Sequence, residues 1–401
     1  MTLPPPPNPY GGQPPYGGQP PQGGQPQYGG QPQWGSAQPG GAGEGQFSGP
    51  PPWGPPPQQP QWGGPPSGPP PPNGGKGKWI IGGVIVLLVV ALAVTVTILV
   101  TRDGSDGNSP TPPGDGQASE FASANDTGPV NIITEDPTCD AWGKVIRAYS
   151  DKSKSVNWGQ RDPSIPASAW TPEQRNMYEV VSNGMRDAAS QAEKLAKTTP
   201  HRVMRELYGQ FVAYSAAFVT TLEGYTEKSD GLAVVTDASG TAAAHICSAI
   251  EYRSVQPIAP LVEESPAPSS VELPDDGAAP QRFLTTSNPA CDGWESSLSD
   301  FDRKIADWLA IDPQISAPDW SPAQRSVNEA AAKSMVINAD VLEELGRESR
   351  NPIFEDLAAL AAQYRRAFAL TIPEYESKDG FLSESATYLA RTVNSACKAV
   401  A

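Results

Sequence analysis

Two groups of residues have types and spacings that could do chemistry: four cysteines, and a set of Asp, Trp and Arg side chains that occurs twice. Cys139, Cys247, Cys291 and Cys397 are all the cysteines in 401 residues. A thiolate nucleophile or a metal site needs a His, a carboxylate or further thiols at a defined spacing. The two histidines, His201 and His245, supply no such spacing and are expected at the surface or at helix ends. Disulfides are the better use of the cysteines.

The second group is Asp162, Trp170 and Arg175, matched by Asp312, Trp320 and Arg325. Trp170-Thr171-Pro172-Glu173-Gln174-Arg175 returns 150 residues later as Trp320-Ser321-Pro322-Ala323-Gln324-Arg325. Trp and Arg are frequent binding anchors, so these six are candidate binding residues for a ligand or peptide. Their structural use is the competing reading: Trp covers a bundle end, Gln closes a capping box, and Arg pairs locally with Asp. No nucleophile with its base, acid/base pair or metal-ligand spacing is present, so neither an enzyme, a cofactor nor a metal is expected.

Both groups belong to an internal duplication. Cys139-Asp140-Ala141-Trp142 returns as Cys291-Asp292-Gly293-Trp294 after 152 residues, whereas Tyr214, Phe218, Tyr225 and Cys247 return as Tyr364, Phe368, Tyr375 and Cys397 after 150. A two-residue deletion early in the second copy accounts for the change. At position 395 a serine stands opposite His245.

Each copy reads as four helices. The first begins at the leading Cys and buries Trp142 or Trp294. The second begins at a capping box, Thr171 or Ser321 with Gln174 or Gln324 three residues on and Pro between. The third carries an aromatic stripe at helical spacing (Phe211, Tyr214, Phe218, Tyr225), which is core rather than pocket. The fourth ends near the second Cys. In an up-down-up-down bundle the start of helix one and the end of helix four lie at one end, which predicts Cys139–Cys247 and Cys291–Cys397. Loops of this length contribute about 4–5 kcal/mol each in the chain-entropy account, and the bonds need an oxidising compartment.

The rest of the chain sets the context. Residues 1–78 are Pro/Gly/Gln-rich, with Glu44, Lys76 and Lys78 as their charges, and are expected to be disordered. Their aromatics and Pro-rich segments suit weak multivalent contacts. Trp79–Val100 is 22 residues without a charge. At about 1.5 Å per residue it reaches about 33 Å, enough for a hydrocarbon core of about 30 Å, and is read as a transmembrane helix. Lys76 and Lys78 before it place the N-terminus in the cytoplasm and the remainder outside. The formal charge is −16, with the tail contributing +1, so everything after residue 78 carries −17. Such acidity excludes a nucleic-acid binder.

The YGGQPP-type repeats, the Gly74-Gly75-Lys76-Gly77-Lys78 boundary and the acidic Pro/Thr-containing stalk resemble the Pro/Gly-rich single-pass membrane proteins of mycobacteria and related actinobacteria. The resemblance covers roughly residues 1–120 and implies an envelope protein; it carries over no functional residue.

The expected architecture is therefore mostly α. A disordered cytoplasmic tail (1–78), one transmembrane helix (79–100) and a linker (101–136) lead to two tandem disulfide-linked four-helix bundles outside (137–253 and 290–401), joined by a Pro/Ser-rich linker (254–289) that leaves the bundles some independence. The expected function is a non-catalytic cell-envelope protein whose duplicated module binds an envelope protein or other component. The alternative is a sensor or transport-accessory protein that relays external ligand binding to the tail.

Overall fold

The computed structural model describes residues 119–401. The first copy contributes α1 (Cys139–Ser155), α2 (Pro172–Thr198), α3 (Arg202–Thr221) and α4 (Glu227–Glu251). The second contributes α5 (Ala290–Lys304), the single turn α6 (Ala306–Leu309), α7 (Pro322–Glu348), α8 (Pro352–Thr371) and α9 (Gly380–Val400). Helices start where the sequence stops them from starting earlier. The capping boxes at Thr171/Gln174 and Ser321/Gln324 are both formed, with Pro at N1. Asn351 caps α8 by accepting from the Phe354 N–H at 3.0 Å.

Within each copy four helices close around aromatic residues. Trp142 and Trp294 are fully buried, and their indoles donate to the carbonyls of Gly240 and Ala390, each at 3.1 Å. Trp142 meets Phe211 edge-on, and Trp294 meets Phe354 edge-on. The disulfides are Cys139–Cys247 and Cys291–Cys397, with Cα atoms 5.2 and 5.5 Å apart. They tie the start of α1 to the end of α4, and the start of α5 to the end of α9.

Two expectations need correction. Among the described residues no helix is long and apolar enough to cross a membrane. The longest helices, α2 and α7, expose charged faces, with Arg186 and Asp187 or Lys333 and Glu344 toward solvent. The span expected over Trp79–Val100, the tail 1–78 and most of the stalk lie outside the described residues. The single-pass architecture, and the placement inside and outside a membrane drawn from it, is accordingly set aside.

The second correction concerns the tandem bundles, which merge into one unit. α4 and α9 run antiparallel against each other. Gly231 at the start of α4 abuts Ala399 near the end of α9, so closely that a Cβ on Gly231 would lie 3.1 Å from the Ala399 Cβ. At the other end His245 reaches Glu384, Nε2 to Oε2 3.1 Å. The reason is composition. Ala233, Ala242, Ala243 and Ala249, with Ser239 and Gly240, let the backbone of α4 come close on several sides, so the helix buries nearly all round.

The linker 254–289 is anchored at its ends, with Val255, Phe283 and Leu284 buried, while most of 266–279 is exposed. Gln210 on α3 donates to the Gln281 carbonyl (3.0 Å) and accepts from the Phe283 N–H (2.9 Å), and the Tyr214 hydroxyl donates to the Leu284 carbonyl (3.2 Å). The segment that leads into the second copy thus lies across the first. Gln363 on α8 likewise holds the Glu263 carbonyl at 2.8 Å.

Candidate functional site

The six candidate binding residues fall in two matching loops, and both loops use them internally. The Trp170 indole donates to the Ile165 carbonyl at 3.0 Å, and Trp320 donates to the Ile315 carbonyl at 2.8 Å. Trp170 stacks on Tyr178 with ring centroids 3.9 Å apart, and Trp320 stacks on Tyr375 at 5.6 Å. Arg175 and Arg325 lie over those indoles, and their guanidinium groups donate to the carbonyls of Ala167 and Ala317 at 3.4 and 2.8 Å. Asp162 accepts from the Ser164 N–H and hydroxyl, which lower its pKa; Asp312 accepts from the Gln314 N–H. Within each loop the Trp and Arg come together, but each Asp closes its own turn and does not pair with that Arg. In the first copy the ion pair at this end is instead Arg161–Asp230, at 2.7 Å.

The unexpected cluster lies where α3 and α8 meet. Arg202, Arg205, Glu206, Glu355 and Asp356 are all buried there. Arg202 grips Asp356 with two bonds, Nε to Oδ2 at 2.6 Å and Nη2 to Oδ1 at 3.0 Å. Its remaining donors reach the carbonyls of Asp126 (2.6 Å) and Gly128 (3.1 Å). Arg205 donates to the Glu272 carbonyl at 2.6 Å, and Glu355 accepts from the Ser269 N–H and hydroxyl at 2.9 Å. Glu206 makes its ion pair with Arg205, at 3.8 Å, and Arg202 adds a weaker pull.

Burial, and then the charge of Asp356, push the Glu206 carboxyl well above the usual range. Burial also raises Asp356, against the pull of Arg202. Burial thus favours the neutral form of Glu206, beside the Asp356 carboxyl that Arg202 grips. The cavity beside the cluster, lined by Val130, Pro266, Pro268 and Ala359 together with Glu355 and Asp356, has room for about one water. The sequence offered one signal: Glu206 and Asp356 are equivalent positions of the duplication, 150 apart.

His245 was expected at a surface or helix end and instead lies on the α4–α9 seam. It stacks on Tyr388 at 5.0 Å, and burial lowers its pKa to about 4. Burial raises the facing Glu384 to about 7.

A third feature is exposed. Seven large apolar side chains are exposed among the described residues, and four of them, Val336, Ile337, Val341 and Leu370, lie on α7 and the end of α8. Arg366 on α8 bonds Asp340 at 2.8 Å. One turn further along α8, Leu370 comes level with Val336 on the antiparallel α7. The equivalent positions of the first copy are also exposed, but they are polar: Arg186, Asp187, Gln191 and Thr220. One fold thus presents an aliphatic face in one copy and a polar face in the other.

The family model of the mycobacterial ESX-1 associated protein matches residues 121–401, which is most of the chain and all but two of the described residues. The chain belongs to this family. It is also 43% identical over 332 residues to an uncharacterized protein of Mycolicibacterium smegmatis (strain MKD8), covering 82% of this chain and 87% of that one. No solved structure matches. The family match begins at Phe121, so it takes in the segment that delivers the Asp126 and Gly128 carbonyls to Arg202 along with both helical copies.

Proposed function

We propose that this member of the ESX-1 associated family is a non-catalytic docking protein of the secretion machinery, and that it engages a protein partner through the α7 face. The observation that carries the reading is the contrast between the two copies. Val336, Ile337, Val341 and Leu370 are exposed at the positions where register puts Arg186, Asp187, Gln191 and Thr220. A solvated face does not need aliphatic residues, and four exposed ones gathered on two neighbouring helices, around the Asp340–Arg366 ion pair, suit an interaction site with a mixed surface. The Trp/Arg loops and the buried carboxyls support the same reading, since each is occupied in holding the fold. The disulfides suit an oxidising compartment, consistent with a secretion-associated role.

The test is to give the second copy the first copy's residues, as V336R/I337D/V341Q/L370T. These sites are exposed, so the variant should keep its helix content and both disulfides. Expressed in a mycobacterium lacking the chain, it should fail to restore ESX-1-dependent secretion, whereas R186A/Q191A should restore it. Full restoration by the fourfold variant would overturn the proposal.

A further inference from the structure

We infer that the occupant of the α7 face is a second copy of this chain, paired with it as antiparallel α7 helices. The inference rests on the docking reading above and names its partner. Along α7, Lys333, Ile337, Val341 and Glu344 are exposed on one side of the helix. These residues are spaced four, four and three apart, which keeps them on one stripe. Two such stripes laid antiparallel about a two-fold axis near residue 339 are self-complementary. Ile337 of one copy faces Val341 of the other, and Lys333 faces Glu344, so each apolar contact and each ion pair is made twice.

The charge order makes this specific. The base lies at the N-terminal end of the stripe and the acid at the C-terminal end, so an antiparallel pairing matches opposite charges, whereas a parallel one would set Lys333 against Lys333 and Glu344 against Glu344. Asp340, between them, is bonded to Arg366 at 2.8 Å, although Arg366 also holds Glu343 at 2.7 Å, so Asp340 is only partly neutralised near the centre. Val336 and Leu370 extend the aliphatic surface on the α8 side. The first copy cannot do the same: Asp187 and Gln191 replace the central pair, with Asn183 and Lys194 at the outer positions.

The experiment uses the full chain in sedimentation velocity over a concentration series, together with thiol cross-linking. All four native cysteines are in disulfides, so I337C introduces the one free thiol. A short bis-maleimide should join I337C to itself, and should not join D187C. The single reversal K333E should weaken dimerisation roughly tenfold, since two rim pairs become repulsive. K333E/E344K should restore it. A wild-type chain that stays monomeric, or a K333E effect that E344K does not rescue, overturns the antiparallel pairing. If self-association fails while the fourfold variant still loses secretion, the second copy is excluded and the docking reading stands on a different protein. If the chain dimerises as described but the fourfold variant secretes normally, the pairing holds and the docking role falls.

Discussion

Glu206 on α3 and Asp356 on α8 are the same position of the duplicated module, and in the folded chain both carboxyls are buried where those helices meet, the charge of Asp356 helping to raise the Glu206 pKa. Gly240 and Ala390, which accept the two tryptophan indoles, are likewise equivalent and lie on the helices that form the seam. The two copies therefore face each other about a pseudo-two-fold axis. Arg202 breaks the symmetry, because its counterpart is Pro352; it holds Asp356, while Arg205 lies 3.8 Å from Glu206.

Arg202→Met should destabilise the protein by about 3–5 kcal/mol, because it leaves Asp356 buried without its cation. The double change R202M/D356L should cost much less, since the charge leaves with its partner. Urea unfolding of the three proteins at one pH decides this. Equal losses in single and double variants would mean that the arginine acts by packing alone.

Glu206 makes stability depend on pH in a definite direction. Its folded pKa is raised above its unfolded value, so its contribution is full below the ordinary carboxylate range and fades as pH rises toward the folded value. Glu206→Gln is close in shape and cannot ionise. As pH rises from the ordinary carboxylate range, unfolding midpoints should fall less steeply for E206Q than for wild type, and parallel curves would contradict the raised carboxyl.

His245 acts with the opposite sign. Its folded pKa is lowered to about 4, so its contribution is present above the ordinary imidazole range and is lost as pH falls toward about 4. The ring resonances of His245 should hold their neutral positions until the pH approaches that value. A midpoint near the ordinary range would place the ring in solvent instead of on the seam.

Two glycines separate backbone contact from side-chain contact. A Cβ at Gly346 would lie 2.6 Å from the Ala358 Cβ and 3.3 Å from the Glu355 Cα, whereas one at Gly293 would meet the end of the Leu345 side chain at 2.8 Å. Gly346→Ala should cost about 1–3 kcal/mol, because the helix backbones must move apart. Gly293→Ala should cost less, since Leu345 can change rotamer. Thermal unfolding of both variants gives the order.

Much of the local fold was legible because it depends on local rules. The capping residues Thr171 and Ser321 start their helices, and bundle topology brings Cys139 to Cys247 and Cys291 to Cys397. The merging of the copies was not read, since Arg202, Glu206 and Asp356 look like an ordinary solvated face near a helix start. One signal was available. α4 is rich in small residues round its whole circumference, and a helix without a polar face is buried on all sides. The exposed aliphatics of α7 could also have been found by subtracting one copy from the other, but an amphipathic pattern does not tell a core stripe from a second, outward one.

The central claim is that the α7 face engages a protein partner and that the matching α2 face does not. A photo-activatable amino acid placed at Ile337, and in a separate strain at Asp187, tests it in cells that depend on the chain. The account predicts a discrete cross-linked product from position 337, absent from position 187 and lost when Val341 and Leu370 are replaced by Gln and Thr. Equal products from the two positions, or none from 337, would contradict it.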